Sequence, residues 1–142
     1  MHLQRRFPAQ KLVAQPCDLR RFEVADAEFP VAPPASHYVV LGFSVLHLLS
    51  NLGPALHALL APLKPGALLI TKTPCLREVN PLVPRPAVPL MRALGKAPPV
   101  LIFDAAELLG AMESRDLRIE AMERHGTTRK DVRAFIVAHK VH

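Results

Sequence analysis

YVVLGFSVLHLLSNLGPAL, residues 38–56, runs as an apolar strand through a short polar step into the start of a helix. Open α/β sheets place their ligands at such steps, outside the carboxyl ends of the strands. HYVVLGF is apolar almost throughout, as strands buried on both faces of a parallel sheet are. Asn51 or Ser50 is placed to cap the helix, with Pro54 tolerated in its first turn. Leu52, Leu56, Leu59, Leu60 and Leu63 recur on one helical face, and Pro62 is expected to kink that helix or end it early. Lys64-Pro65-Gly66 reads as its closure, and ALLITKT opens the next strand, Ala67–Thr71.

Upstream, residues 1–18 carry no clean period and form an irregular N-terminal segment. LRRFEVAD predicts a short strand at Arg21–Ala25, with Phe22 and Val24 on one face. Pro30, Pro33 and Pro34 then exclude both a helix interior and a ladder. Downstream, residues 74–99 are proline-rich around a short apolar piece, Val88–Leu94. A connection of that length is either a lid-like insertion or a surface excursion. Asp104 caps AAELLGAMES, and Glu107 completes a capping box. LRIEAMER and RAFIVAHK are two closing strands, the second with an apolar run at Ala134–Ala138. This order of elements predicts an α/β fold with a parallel sheet and a reversed last strand.

Composition narrows the function classes. With 142 residues, half of them hydrophobic and 21% charged, the chain has the size and character of one globular domain. Its apolar runs fall short of the ~20 residues a membrane-spanning helix needs, so no membrane partner is expected. MHLQRRFPAQK has no apolar stretch behind its charges, so no secretory signal is read and a cytoplasmic location is expected. Cys17 and Cys75 are too far apart for a metal cluster, and the histidines form no HxH or HxxxH pair, so no metal is expected. The net charge of +6 raises nucleic acid as a partner. The basic residues are scattered, however, and one Tyr with no Trp offers few stacking surfaces, so that partner is not expected.

Four of these pieces, in order and at matching spacing, resemble class I S-adenosylmethionine-dependent methyltransferases of the small Rossmann-like type. FEVADAEF resembles the third strand and its acidic turn, and YVVLGFSVLHLL the fourth strand and the step behind it. LAPLKPGALLI resembles the LKPGG turn into the fifth strand, and the ending through FIVAHK the sixth and the reversed seventh. The resemblance covers residues 19–142, a partial methyltransferase-like domain lacking the first two strands. It implies S-adenosylmethionine as cofactor and a small-molecule methyl acceptor. Asp26 would accept from the adenine amino group, with the Ala27 amide reading the ring; the bare residues allow equally a turn aspartate. Phe43 and Ser44 would line the methionine and methyl-transfer region. His47 either lines that pocket or packs beneath the helix. No residue is marked as a general base, and methyl transfer needs little beyond alignment of its reactants.

The match has gaps. Glycines stand at 42, 53, 66, 95, 110 and 126, so no GxGxG occurs, and the acidic residue ending the family's second strand has no counterpart. Tyr38 replaces the aspartate common at the start of the fourth strand, and Ala67 the second glycine of LKPGG. Losing two charge-assisted hydrogen bonds to the cofactor weakens binding by about 3–6 kcal/mol. Without a first strand, Tyr38–Phe43 becomes an apolar sheet edge. That edge is expected to be covered by Arg21–Ala25, the N-terminal segment, a second copy or a partner chain. Two functional readings result. One is a truncated methyltransferase homologue, weak or inactive alone. The other is a non-catalytic interaction module that pairs through the exposed edge.

Overall fold

A computed structural model describes residues 24–30, 32–79, 93, 95, 100–128 and 132–142. Strand β1 spans His37–Phe43, helix α1 Leu52–Leu60 and strand β2 Leu63–Pro74. The short helix α2 covers Leu76–Val79 and helix α3 Ala105–Glu113; strands β3, Leu117–His125, and β4, Arg133–Lys140, follow. They form one four-stranded sheet in the order β1-β2-β4-β3. The β1–β2 pair is parallel, while β4 runs antiparallel to both β2 and β3. Three strands therefore point one way and β4, inserted between two of them, points the other. This is the expected mostly parallel α/β sheet with a reversed last strand.

Alternation along the strands decides where the core lies. Leu69, Ala134, Ile136 and Ala138 project from one face of the sheet and pack with Leu56 of α1 and Leu108 and Met112 of α3. On the opposite face Val39, Leu41 and Phe43 of β1 remain 44%, 58% and 54% exposed. The helices α1 and α3 thus cover one side of the sheet only.

Local chemistry explains most element ends. The Asn51 side chain accepts from the Gly53 N–H at 3.0 Å and starts α1. Lys140 Nζ donates to the Leu60 carbonyl at the end of that helix, at 3.2 Å, and to the Leu63 carbonyl at the start of β2, at 2.9 Å. At α3, Asp104 accepts from the Glu107 N–H at 2.8 Å while Glu107 accepts from the Asp104 N–H at 3.0 Å, the anticipated capping box. Asp104→Ala is expected to lose about 1 kcal/mol of stability, read as a lower urea midpoint at unchanged slope.

Several boundaries differ from the sequence reading. Leu63 is buried as anticipated but belongs to β2, paired with His37, and not to the helix. Pro62 cannot continue α1, and its carbonyl instead accepts from the N–H groups of Ser36 and His37 at 2.9 and 2.8 Å. The next strand begins at Leu63, not Ala67. Lys64-Pro65-Gly66 bulges out of it: two steps along β1, His37 to Val39, oppose five along β2, Leu63 to Leu68. Gly66 takes a φ of +76° there, a conformation glycine adopts without penalty.

Of the strand read at Arg21–Ala25, only Val24 and Ala25 are described, and they lie in no strand. The Asp26 carboxylate accepts from the Glu28 N–H at 3.0 Å, and the Phe29 N–H donates to the Asp26 carbonyl at 3.2 Å. This Asx turn draws the backbone away from an extended course. The N-terminal segment, residues 1–18, lies outside the described residues, as does most of 74–99. Within the latter, Pro74 ends β2 and Leu76–Val79 is helical. Among the described residues no helix is long and apolar enough to cross a membrane. No group of three or more His, Cys, Asp or Glu side chains among them is placed to hold a metal ion.

Candidate functional site at the carboxyl end of the sheet

β1, β2 and β3 end, and β4 begins, at the same border of the sheet. Ser44, just past β1, donates its N–H to the Lys72 carbonyl at 2.8 Å and so extends the β1–β2 ladder by one residue. Its φ of +53° lies in the left-handed region that non-glycine residues seldom occupy. This turn swings the chain off the sheet into a single 3-10 turn, Leu46–Leu48. A Cβ added at Gly42 would meet Thr71, Leu59 and Val45 at 3.4–3.6 Å, ordinary van der Waals contact that accepts a methyl group.

His47 lies in the 3-10 turn, where its carbonyl accepts from the Leu101 N–H at 2.8 Å. Its Nδ1 is buried with no hydrogen-bond partner among the described residues. Burial first, and then the positive charge of Arg133, lowers its pKa below the usual 6.5, which favours the neutral ring. The unfolded chain binds the proton more tightly, so this contribution to stability is complete above about pH 6.5. It is lost as pH falls from there toward the depressed folded value. Urea midpoints measured between pH 5 and 7.5 should therefore drop on the acid side, and His47→Gln should flatten that drop.

The sheet register assembles a second group of residues on the face away from α1 and α3. Phe43 pairs with Lys72, Lys72 with Phe135, and Phe135 with Glu123, one row across all four strands. In the next row Arg133 lies between Pro74 and His125. Paired residues share a face, and so do residues two apart, which puts Lys72, Arg133 and His125 together. His125 stacks on Phe135 with ring centroids 5.0 Å apart and nearly coplanar, and its Nε2 lies 2.7 Å from the Glu123 carboxylate. Lys72, His125, Gly126, Thr127 and Arg133 line a cavity of about 530 Å³.

A second cavity, about 410 Å³, lies against β1 and α1, with Ala27, Phe29, Val40, Leu41 and Leu59 among its walls. It is apolar apart from His37. Of the five residues nominated for cofactor binding, Ala27 lines it. Asp26 is exposed and engaged in its own turn. Phe43 faces the open side of the sheet at 54% exposure, and Ser44 and His47 follow the end of β1. The described residues therefore do not bring the five onto one cavity. Neither cavity has, among its described lining residues, the carboxylate that holds a ribose. The residues present do not by themselves fit the whole of S-adenosylmethionine.

Lys72, His125 and Arg133 escaped the sequence reading. The alternation of ALLITKTP does put Lys72 at a strand end. Its meeting with Arg133 depends on β4 entering the sheet beside β2, which no local pattern announces. Cys75, adjacent to this border, is a free, buried thiol, and burial followed by the nearby Glu78 charge pushes its pKa up to about 11. It stays protonated at neutral pH and is no nucleophile there.

No protein-family model matches the chain, and no curated protein does. Solved structures do match. A methyltransferase dependent on S-adenosylmethionine from Methanosarcina mazei aligns over 84% of this chain and 66% of its own, with a TM-score of 0.64 at 16% identity. The geranyl diphosphate C-methyltransferase of Streptomyces coelicolor, solved with Mg2+, geranyl diphosphate and S-adenosyl-L-homocysteine, aligns over 84% and 54%, with a TM-score of 0.60 at 16% identity. The [4+2]-cyclase SpnF aligns over 84% and 55%, with a TM-score of 0.61 at 18% identity. The chain spans between about half and two-thirds of the length of these neighbours. At such identities the likeness is one of fold: a partial class I methyltransferase sheet. The cyclase among the neighbours illustrates that the fold hosts more than one reaction.

Proposed function

We propose, for a chain with the class I methyltransferase fold, that it forms the acceptor-side part of an S-adenosylmethionine-dependent methyltransferase acting on a small molecule in the cytoplasm. One observation carries this reading: the reversed β4 lies between β2 and β3, so that three parallel strand ends and the start of β4 share one chemically equipped border. Asp26 and Ala27 are assigned to the adenine side, and Phe43, Ser44 and His47 to the methionine side. A free buried thiol at Cys75 is in keeping with a reducing compartment.

Because the sequence contains no GxGxG, the isolated chain is expected to bind S-adenosylmethionine more weakly than about 100 μM. Amide chemical shifts followed during titration with the cofactor test both parts. Movement of the Ala27 and Ser44 amides at millimolar cofactor supports the assignment. Unmoved amides at these positions would remove it, and a dissociation constant below about 100 μM would show that the cradle is complete without a glycine turn.

A second reading, an interaction module, is favoured by the open edge of β1. Tyr38 is 71% exposed and Leu41 58%, and no described strand pairs with the outer side of β1. Such an edge is a template for another strand, from a second copy or a partner chain. Sedimentation over a concentration series tests it. The chain should self-associate, and Leu41→Lys should shift it to monomer; a monomer at all concentrations would rule against pairing between copies.

A further inference from the structure

We propose that the apolar cavity against β1 and α1 binds a small, flat, apolar molecule that carries one hydrogen-bond donor, a phenol in kind. This site goes beyond the methyl-transfer reading and does not rest on it. His37 and Pro62, in its wall, lie at the amino end of β1 and just before β2, whereas Phe43 and Ser44 lie at the other end of β1.

The backbone around the cavity is anchored on two sides. On one side the Asx turn at Asp26 sets the course of the chain, and the Glu28 carboxylate accepts from the Ser50 N–H. That contact fastens the turn to the segment after β1. On the other side the N–H groups of Ala35, Ser36 and His37 donate to the carbonyls of Ala61 and Pro62. Walls tied down in this way spare a guest the cost of ordering a loop.

The walls favour an apolar guest. Ala58 and Pro62 are buried, while Phe29 and Leu41 are more than half exposed. A ring seated among them takes apolar surface of both partners out of water. The volume, about 410 Å³, is that of a small-molecule site. No lining side chain among the described residues other than His37 carries a polar atom. A guest with several polar groups would bury them unpaired.

His37 sets what the one polar group must be. The Pro33 carbonyl can only accept, so the Ser36 hydroxyl gives its single proton to it. The same hydroxyl oxygen lies 2.7 Å from His37 Nδ1 and must accept there, which puts the ring proton on Nδ1. In the neutral ring Nε2 is then an acceptor. The polar group that suits this wall is a donor, an O–H or N–H, and not a carbonyl or an ether.

Naphthol and its methyl ether, titrated into the full chain with amide chemical shifts as the readout, provide the test. The two share a ring system and differ in the donor. Saturable binding of naphthol is expected, with a dissociation constant below about 1 mM, moving the Val40 and Leu59 amides and leaving those of β3 in place. The ether should bind about fivefold more weakly. His37→Phe keeps a ring and removes the acceptor, so it should bring the two ligands to equal affinity, with circular dichroism unchanged. Equal affinity of both ligands for the parent chain would overturn the proposal. So would naphthol that does not saturate, or that moves the amides around Phe43 and Phe135 on the open sheet face instead. No cofactor is added, so this site and the cofactor assignment above can fail separately.

Discussion

Ile136→Ala is expected to destabilise the chain by about 2–5 kcal/mol, the range for emptying a fully buried aliphatic site. Ile136 is 0% exposed and lies in β4, paired with Thr71 on one side and Met122 on the other. Both sheet neighbours are bound to strands that α1 and α3 cover, so the structure has little freedom to collapse into the gap. Val137, the next residue, faces the open side and is half-buried. Val137→Ala should cost less than half as much. Urea denaturation of the two variants at equal slope separates a packed face from an open one, and equal losses would show that the second face is packed too.

Glu78→Ala is the other large effect expected, about 1.5–3 kcal/mol, the range for a hydrogen bond to a charged group. One carboxylate oxygen of Glu78 accepts from the Ala105 N–H at 2.9 Å, at the first turn of α3. The other pairs with Arg124 of β3. The Glu78 side chain is 20% exposed and that of Arg124 59%, so the ion pair itself contributes little. Most of the loss comes from stranding the Ala105 N–H, a helix donor with no intrahelical acceptor. Glu78→Gln retains an acceptor and should keep most of the stability. If alanine and glutamine are equally damaging, the charge matters and the amide does not.

How much of this was legible in the sequence depended on the range of the interactions involved. The α3 capping box needs residues three apart, and Asp104 and Glu107 announce it. β1 and β4 are short apolar runs bounded by turn residues, and both emerge where expected. Local signals failed where two structures share them. A buried leucine after Pro62 satisfies a helix face and a strand equally, so the local pattern puts Leu63 in the helix and the fold puts it in β2. Lys64-Pro65-Gly66 serves a bulge as well as a helix end, because both use a glycine in the left-handed region. The Asx turn at Asp26 competed with strand extension, and the turn prevailed. The basic border was out of reach for a different reason. Lys72 and Arg133 meet only through a pairing between β2 and β4, and charge alone does not specify which strands become neighbours.

The place of β4 in the sheet also sets a timetable. It is made after β1, β2 and β3, yet it lies between two of them. While a ribosome has released only the residues before Arg133, β1 and β2 can pair, but β3 has no neighbour and one edge of β2 stays bare. Synthesis advances at about 5–20 residues per second, far slower than a hairpin forms, so that interval is long on the scale of chain motions. During it the nascent chain offers unpaired strand edges to anything nearby, and β4 closes the sheet in a late, cooperative step. A helper that shields bare strands would act in that interval, before the last strand is in hand.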